Sequence, residues 1–280
     1  MSPGMTPDPW ARVQLARQAE RPHTLDYIAD LCSDFIELHG DRAFGDDAAM
    51  VGGVARLNGT GRTVVVVGHQ KGANTKENLR RHFGMAHPEG FRKAKRLMRH
   101  AEKFGFPLLT FLDIPGADPG AASEERGQAI AIAECIQTLT ELRVPIVATV
   151  IGEGGSGGAL ALGVADEVLM LENSTYSVIT PEGCASILWK DAKQAPAAAA
   201  AMRITAADAL EFGVIDRIVP ELTPAHEDPR GATRATGAAI RSALERLTGL
   251  STEELLAARY RKFRAIGRWR EEAVEVAGGA

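Results

Sequence analysis

The sequence predicts an α/β fold in which parallel strands alternate with helices. Three observations carry that expectation. Apolar, β-branched runs at 64–67, 108–112 and 144–151 read as buried strands. The segments 91–104 and 124–142 place apolar residues at helical spacing. The order strand, loop, helix, strand then implies right-handed crossovers between parallel neighbours.

Residues 1–22 start proline-rich and lack sustained periodicity, apart from a short helix expected over 10–20, so they read as an N-terminal arm. A helix is expected over 23–38, with Leu25, Ile28, Ala29, Cys32, Phe35 and Ile36 on one face, Thr24 as cap and Gly40 as stop. Strands at 50–57 and 63–68 flank Asn58-Gly59-Thr60-Gly61 and form a hairpin, because Asn-Gly supplies the positive dihedrals of a tight turn. The second strand runs into His69-Gln70-Lys71-Gly72, a polar cluster at a strand end where open α/β sheets place ligands; Lys71 is the candidate anion holder there.

The helix 91–104 turns Phe91, Ala94, Leu97, Met98, Ala101 and Phe104 to the core and Arg92, Lys93, Lys95, Arg96, Arg99 and Lys103 outward. Between Lys71 and Lys103 ten Lys or Arg face three Glu, a balance of +7 in a chain of net charge −4. Such a segment is either a solvated helix face or a contact for a phosphate-bearing ligand or an acidic partner. After strand 108–112 comes a rigid loop, 113–120, with two Pro-Gly-type turns, and then helix 124–142. Further on, strands are expected at 167–171, 176–179 and 214–219. Helices are expected from Pro181, over 195–202, over 205–212 with Thr205 as cap, and over 238–247 and 252–266; 220–237 reads as a surface connection.

The chain turns on residues 152–158, where five of seven residues are glycine between a buried strand and the helix-competent 159–164. Glycine costs about 1 kcal/mol against alanine in a helix interior, so this density implies close approach to the main chain. With Ser156 as cap, the amides of Gly157 and Gly158 lie in the first turn without intrahelical acceptors, at the positive end of the helix dipole. Two such N–H groups make an oxyanion hole for a polarised carbonyl. No Gly-Lys-Ser/Thr follows, and the Rossmann glycine spacing is absent. Gly154, Ser156 and Gly158 also satisfy Gly-x-Ser-x-Gly, which leaves open a hydrolase or hydratase using Ser156 or Glu153. The loop at Gly116 and Ala117 should share the sheet edge with this corner, so one site can draw amides from both.

Composition sets the setting. With 45% hydrophobic and 24% charged residues the chain can build a full core. Cys32, Cys135 and Cys184 are few and widely spaced, with no Cys-x-x-Cys pair, which argues against a disulfide framework or a structural zinc site and fits a reducing cytosol. No run of about 18 apolar residues is present, and the start does not read as a signal peptide, so a soluble intracellular protein is expected.

The motifs Arg21-Pro-His-Thr-Leu-Asp-Tyr27, Gly68-His-Gln-Lys-Gly72, Phe83-Gly-Met85, Pro88-Glu-Gly90, Glu124-Glu-Arg-Gly-Gln128, Gly152-Glu-Gly-Gly-Ser-Gly-Gly158, Ser174-Thr-Tyr-Ser-Val178 and Pro181-Glu-Gly-Cys-Ala-Ser-Ile-Leu-Trp-Lys190 run in order over most of the chain, with Ser251-Thr-Glu-Glu-Leu255 beyond them. This set resembles the carboxyltransferase alpha subunits of the multi-subunit bacterial acetyl-CoA carboxylases, within the crotonase-like superfamily. The resemblance implies a crotonase-like spiral of ββα units over 23–250, with flanking helices in the arm and in a C-terminal segment, 251–280. It implies transfer of a carboxyl group from carboxybiotin, held covalently on the biotin carboxyl carrier protein, to acetyl-CoA. The product is malonyl-CoA, the first committed step of fatty acid biosynthesis. A zinc-bearing beta subunit in an α2β2 assembly, biotin carboxylase in the full complex, a cytoplasmic location and no metal in this chain follow with it. A related subunit acting on another acyl-CoA is the alternative.

Under that resemblance Gly157 and Gly158 receive the ureido oxygen of biotin, with Gly116 and Ala117 as auxiliary donors. Gly154, Gly155, Ser156 and Lys71 line the biotin or substrate site, and Arg92, Lys95 and Arg99 meet CoA phosphate or the carrier. The family usually has Thr and Tyr where this chain has Ile114 and Asp118, and commonly begins with a longer helical extension.

Overall fold

A computed structural model describes residues 8–267; the first seven residues of the arm and the tail 268–280 lie outside it. Helices α1 (Pro9–Ala16) and α2 (Thr24–Leu31) lead into β1 (Cys32–Glu37), β2 (Met50–Leu57) and β3 (Thr63–His69). These three strands pair antiparallel, and β2 and β3 form the expected hairpin. After α3 (Thr75–Arg80) and α4 (Pro88–Phe104) the chain enters β4 (Leu108–Ile114), which lies parallel to β3. Helices α5 (Ala121–Glu125) and α6 (Gln128–Glu141) return it to β5 (Ile146–Gly155), parallel to β4. Next come α7 (Ser156–Gly163), β6 (Glu167–Leu171), β7 (Thr175–Ser177), α8 (Pro181–Trp189), α9 (Ala195–Met202), α10 (Ala206–Glu211), β8 (Arg217–Val219), α11 (Pro229–Leu247) and α12 (Thr252–Arg264).

The sheet runs β1-β2-β3-β4-β5-β6-β8, with β7 pairing with the far end of β5. Its central strands β4 and β5 are buried along their whole length, because helices cover both faces. On one face α4, α6 and α7 bury Phe91, Leu97, Met98, Leu139 and Leu162. On the other, α2 and α11 bury Tyr27, Leu31, Ile240 and Leu244. Arg259 of α12 is fully buried; it bonds Asp166 and the carbonyls of Leu139, Leu142 and Val144, so the C-terminal helix is fastened where β5 begins.

Several expectations need correction. The helix expected over 23–38 stops at Leu31: Cys32 turns extended (φ −128°, ψ 156°), and 32–37 become an edge strand, because the open edge of β2 offers backbone partners that helical periodicity does not reveal. Its cap is His23, not Thr24, in a capping box closed by Asp26. Helix 124–142 is two helices, broken at Gly127 (φ +83°). Half of the connection 220–237 is the start of α11. On α4, Phe104 is half exposed, whereas Lys93 is buried and reaches Asp46 and the Asp47 carbonyl. Within the arm, Val13 and Ala16 are buried, and Val13 packs with Ala199 and Ile204.

Candidate active site

Strand β5 continues through Gly155, because Glu153–Gly155 pair with β7, so the glycine run is mostly extended strand rather than loop. A side chain at Gly155 would strike the Pro115 carbonyl oxygen, which explains that glycine by packing alone. Ser156 opens α7 at φ +55° and caps nothing; Gly155 occupies the cap position. The expectation that Ser156 caps the helix is therefore wrong, since a strand that ends one residue before it leaves no room for an extended cap at 156.

The N–H groups of Gly157 and Gly158 lie in the first turn of α7 and donate to no acceptor among the described residues. A Cβ placed on Gly158 would lie 2.9 Å from the Ala117 nitrogen and 2.7 Å from Ile114 Cδ1, so the loop after β4 presses directly against this turn. The amides of Gly116 and Ala117 also have no acceptor among the described residues. The two turns that carry these amides thus lie in contact at one end of the parallel strands.

Beside them lies a largely apolar cavity of about 350 Å³ lined by Ser156, Gly157, Leu160, Tyr176, Ser177, Val178 and Val214. Gly154 and Gly155 instead face a crevice of about 10 Å³ shared with Arg17 and Glu153, room for one water. Of the four residues expected to hold biotin or substrate, Ser156 lines the larger cavity and Gly154 and Gly155 line the small crevice.

Lys71 is also placed differently from expectation. Its Nζ is 2.7 Å from Asp113 Oδ1 and 2.9 Å from Glu153 Oε2, buried behind the corner and not free for an incoming anion. Arg17 Nε donates to Glu153 at 2.7 Å and Arg17 Nη1 to Glu182 at 2.6 Å, while His23 Nδ1 lies 3.3 Å from Asp113. Asp113 Oδ1 accepts from the Glu153 amide at 3.1 Å, which ties the end of β4 to the glycine run. Burial alone would push the Asp113 and Glu153 carboxyls up, but Lys71, with His23 at the first and Arg17 at the second, outweighs it and holds both below the usual range. Burial would lower Lys71, yet Asp113 and Glu153 keep its ammonium charged. This network positions the main chain of the site. Sequence reading missed Arg17, His23 and Asp113 as its members because the pairs join residues up to 165 positions apart.

The network also bears on the hydrolase or hydratase alternative. A general acid-base carboxyl needs a pKa raised toward neutrality; Glu153 is doubly ion-paired, buried and lowered. Ser156 has no hydrogen-bonded base among the described residues. The basic segment is likewise partly neutralised within the chain: Arg92 meets Asp41, Lys95 meets Glu134, and Arg99 meets Glu102 and Glu141.

His69, at the end of β3, is fully buried and packs edge-on against Phe91. Burial lowers its pKa from 6.5 to about 3, against the pull of Asp113. Because the unfolded chain takes up this proton first, the stability that a neutral His69 supports is complete above pH 6.5 and is lost as the pH falls toward 3. Denaturant midpoints should decline over that window, and less so in His69→Gln; an unchanged slope would show that His69 is not the titrating group.

The order of parallel strands and covering helices defines an α/β fold of the crotonase-like type, and comparison with solved structures bears out the fold. One neighbour is transcarboxylase 12S with methylmalonyl-coenzyme A and methylmalonic acid bound (TM-score 0.67, 22% identity), matched over 85% of this chain and 44% of that one. Another is a Pseudomonas malonate decarboxylase hetero-tetramer in complex with coenzyme A (TM-score 0.63, 19% identity), matched over 77% and 86%. The family model described as acetyl co-enzyme A carboxylase carboxyltransferase-like matches residues 5–267. The acetyl-coenzyme A carboxylase carboxyl transferase subunit alpha of a Thermus thermophilus strain is 60% identical over 264 residues, 94% of this chain and 83% of its own length. That of Bacillus thuringiensis Al Hakam is 58% identical over 259 residues, 92% and 79% respectively. The chain belongs to the acetyl-CoA carboxylase carboxyltransferase alpha family.

Proposed function

We propose that this chain transfers a carboxyl group from carboxybiotin on a biotin carboxyl carrier protein to acetyl-CoA, forming malonyl-CoA. The observation that carries the reading is the pair of Gly157 and Gly158 amides without an acceptor among the described residues, with Gly157 lining the 350 Å³ cavity and Gly158 packed against the Ala117 loop. The cavity fits a biotin head group: its walls are largely apolar, as a fused ring requires, and Gly157, whose N–H has no acceptor among the described residues, lines it together with the hydroxyl-bearing Ser156, Tyr176 and Ser177. When bound, carboxybiotin supplies the activated carboxyl. The amides of Gly157 and Gly158 then hold the oxygen on which charge gathers, a contribution of about 2.7–4 kcal/mol per donor in comparable sites. Leu160 and Val178 give the cavity an apolar rim, and the Lys71–Asp113–Glu153 cluster fixes the strand end behind the turn.

Leu160 and Val178 are 40% and 78% exposed at the cavity rim, so the site is open on that side in the single chain. A beta subunit, zinc-bearing and paired in an α2β2 assembly, would cover this rim and bring the acetyl-CoA; biotin carboxylase would recharge the carrier. The three free cysteines accord with a cytoplasmic setting, and no helix among the described residues is long and apolar enough to cross a membrane.

Ser156→Ala separates this reading from a serine hydrolase. In the reconstituted complex, malonyl-CoA formation from carboxybiotin should stay within a few-fold of wild type. A loss of about 10⁴-fold or more, the scale of a missing nucleophile, would transfer the chemistry to Ser156. Assay with several acyl-CoAs then decides between acetyl-CoA and another acyl acceptor.

A further inference from the structure

Away from the amides, on the other side of the loop 113–118, the fold brings together Asp47, His82 and His87, whose ligand-capable atoms all lie within 4.8 Å of one another. They come from the segment before β2, the turn after α3 and the residue before α4, so no spacing in the sequence marks them as a set.

Three observations point to a ligand. The two imidazoles face each other with centroids 4.2 Å apart, and neither ring has a hydrogen-bond partner among the described residues. The carboxylate oxygens within 4.0 Å are Glu89 Oε1, 3.7 Å from His87 Nδ1, and Asp118 Oδ2, 3.8 Å from His87 Nε2. Asp47 is 3% exposed and pairs with no cationic side chain within 4.0 Å among the described residues; its oxygens accept only the Ala49 and His87 amides, each at 2.8 Å. Finally, His82, Phe83 and Gly84 are held in succession at φ +49°, +54° and +79°, a strained backbone that fixes where the His82 ring begins.

We propose that Asp47, His82 and His87 form a binding site for a divalent transition metal of the zinc class, with Asp118 positioned to close the coordination sphere. Two neutral imidazoles and a carboxylate suit Zn²⁺ or Co²⁺ and do not suit Mg²⁺, which demands oxygen ligands. Both Asp47 oxygens keep a lone pair after accepting one amide each, so metal binding needs no hydrogen bond to be broken. The ion ties together the segment before β2, the turn 82–87 and the loop that carries Ala117, since the Asp118 amide already donates to the Ala86 carbonyl at 3.3 Å. Metal occupancy therefore stiffens the loop behind the auxiliary amide, which makes the site structural or regulatory rather than part of the carboxyl transfer. The inference does not rest on the proposed activity.

The test uses the purified 280-residue chain expressed without partners and titrated with CoCl₂ and ZnCl₂. One equivalent of Co²⁺ should bind with a visible d–d band that Zn²⁺ displaces and Mg²⁺ does not. ZnCl₂ should raise the Tm. His82→Asn, whose new residue tolerates positive φ, and His87→Gln should each weaken binding by at least about tenfold, and the double variant should lose the band. Both rings are partly exposed and make no hydrogen bonds, so the metal-free variants should melt with wild-type protein. His39→Ala, which removes the separate His39–Asp46 pair (2.8 Å), should bind as wild type. The proposal is overturned by absence of a stoichiometric band, by equal affinity in the double variant, or by loss of binding in His39→Ala.

Discussion

Gly157→Val is expected to lower malonyl-CoA formation by the reconstituted complex at least about 10²–10³-fold while leaving folding and subunit assembly intact. The separation of effects follows from the surroundings of residue 157. A Cβ there meets only Ile132 Cγ2, at an ordinary 3.6 Å, so the fold accepts it. The valine methyls, however, enter the cavity that Gly157 lines and screen its amide and that of Gly158 from a ligand oxygen. Gly158→Ala should behave differently: its Cβ would sit 2.9 Å from the Ala117 nitrogen, so the loop after β4 must move, and stability should fall by about 1–3 kcal/mol together with turnover. If Gly157→Val left turnover at the wild-type level, the amides would not be the oxyanion donors.

Lys71→Met carries the largest expected stability effect, a loss of about 3–5 kcal/mol at neutral pH. The ammonium lies between two carboxylates whose side chains are only 4% and 11% exposed, so removing it leaves Asp113 and Glu153 as neighbouring charges with little access to water. His23 and Arg17 compensate each of them only in part. The variant also makes a signed prediction. Without Lys71 both carboxyls titrate at higher pH, so the stability gap between variant and wild type should narrow as the pH is lowered through the ordinary Asp and Glu range, about 4. Denaturant midpoints of the two proteins between neutral and acid pH read this directly. A gap under about 1 kcal/mol at neutral pH would mean that the cluster is solvated and does not brace the corner.

What the sequence disclosed was whatever depends on near neighbours. The Asn58-Gly59 hairpin, the apolar stripe of α4, the strands β4 and β5 and the bare amides after the glycine run all follow from local pattern, and all are present. The failures have the opposite character. Residues 33–37 carry a helical stripe yet join the edge of β2, because a partner distant in sequence supplies the hydrogen bonds. Lys93 sits between the half-buried Arg92 and Lys95 yet turns fully inward, because Asp46 meets it from another segment. Lys71 read as an anion holder and is instead the counter-ion of Asp113 and Glu153, a pairing across 82 residues in the second case. For the glycine run, density correctly marked close approach, but at Gly155 what approaches is the Pro115 carbonyl rather than a ligand. Only geometry distinguishes a glycine that admits backbone from one that admits substrate.

The central claim concerns two hydrogen atoms, and replacing the Gly158 residue by glycolic acid through semisynthesis deletes one of them without adding bulk. The ester should melt close to the wild-type protein, since this N–H makes no bond within the described chain, and should lose about 10²–10³-fold in carboxyl transfer from carboxybiotin. Wild-type turnover in the ester would contradict the account, because the charge would then be stabilised without the main chain of α7.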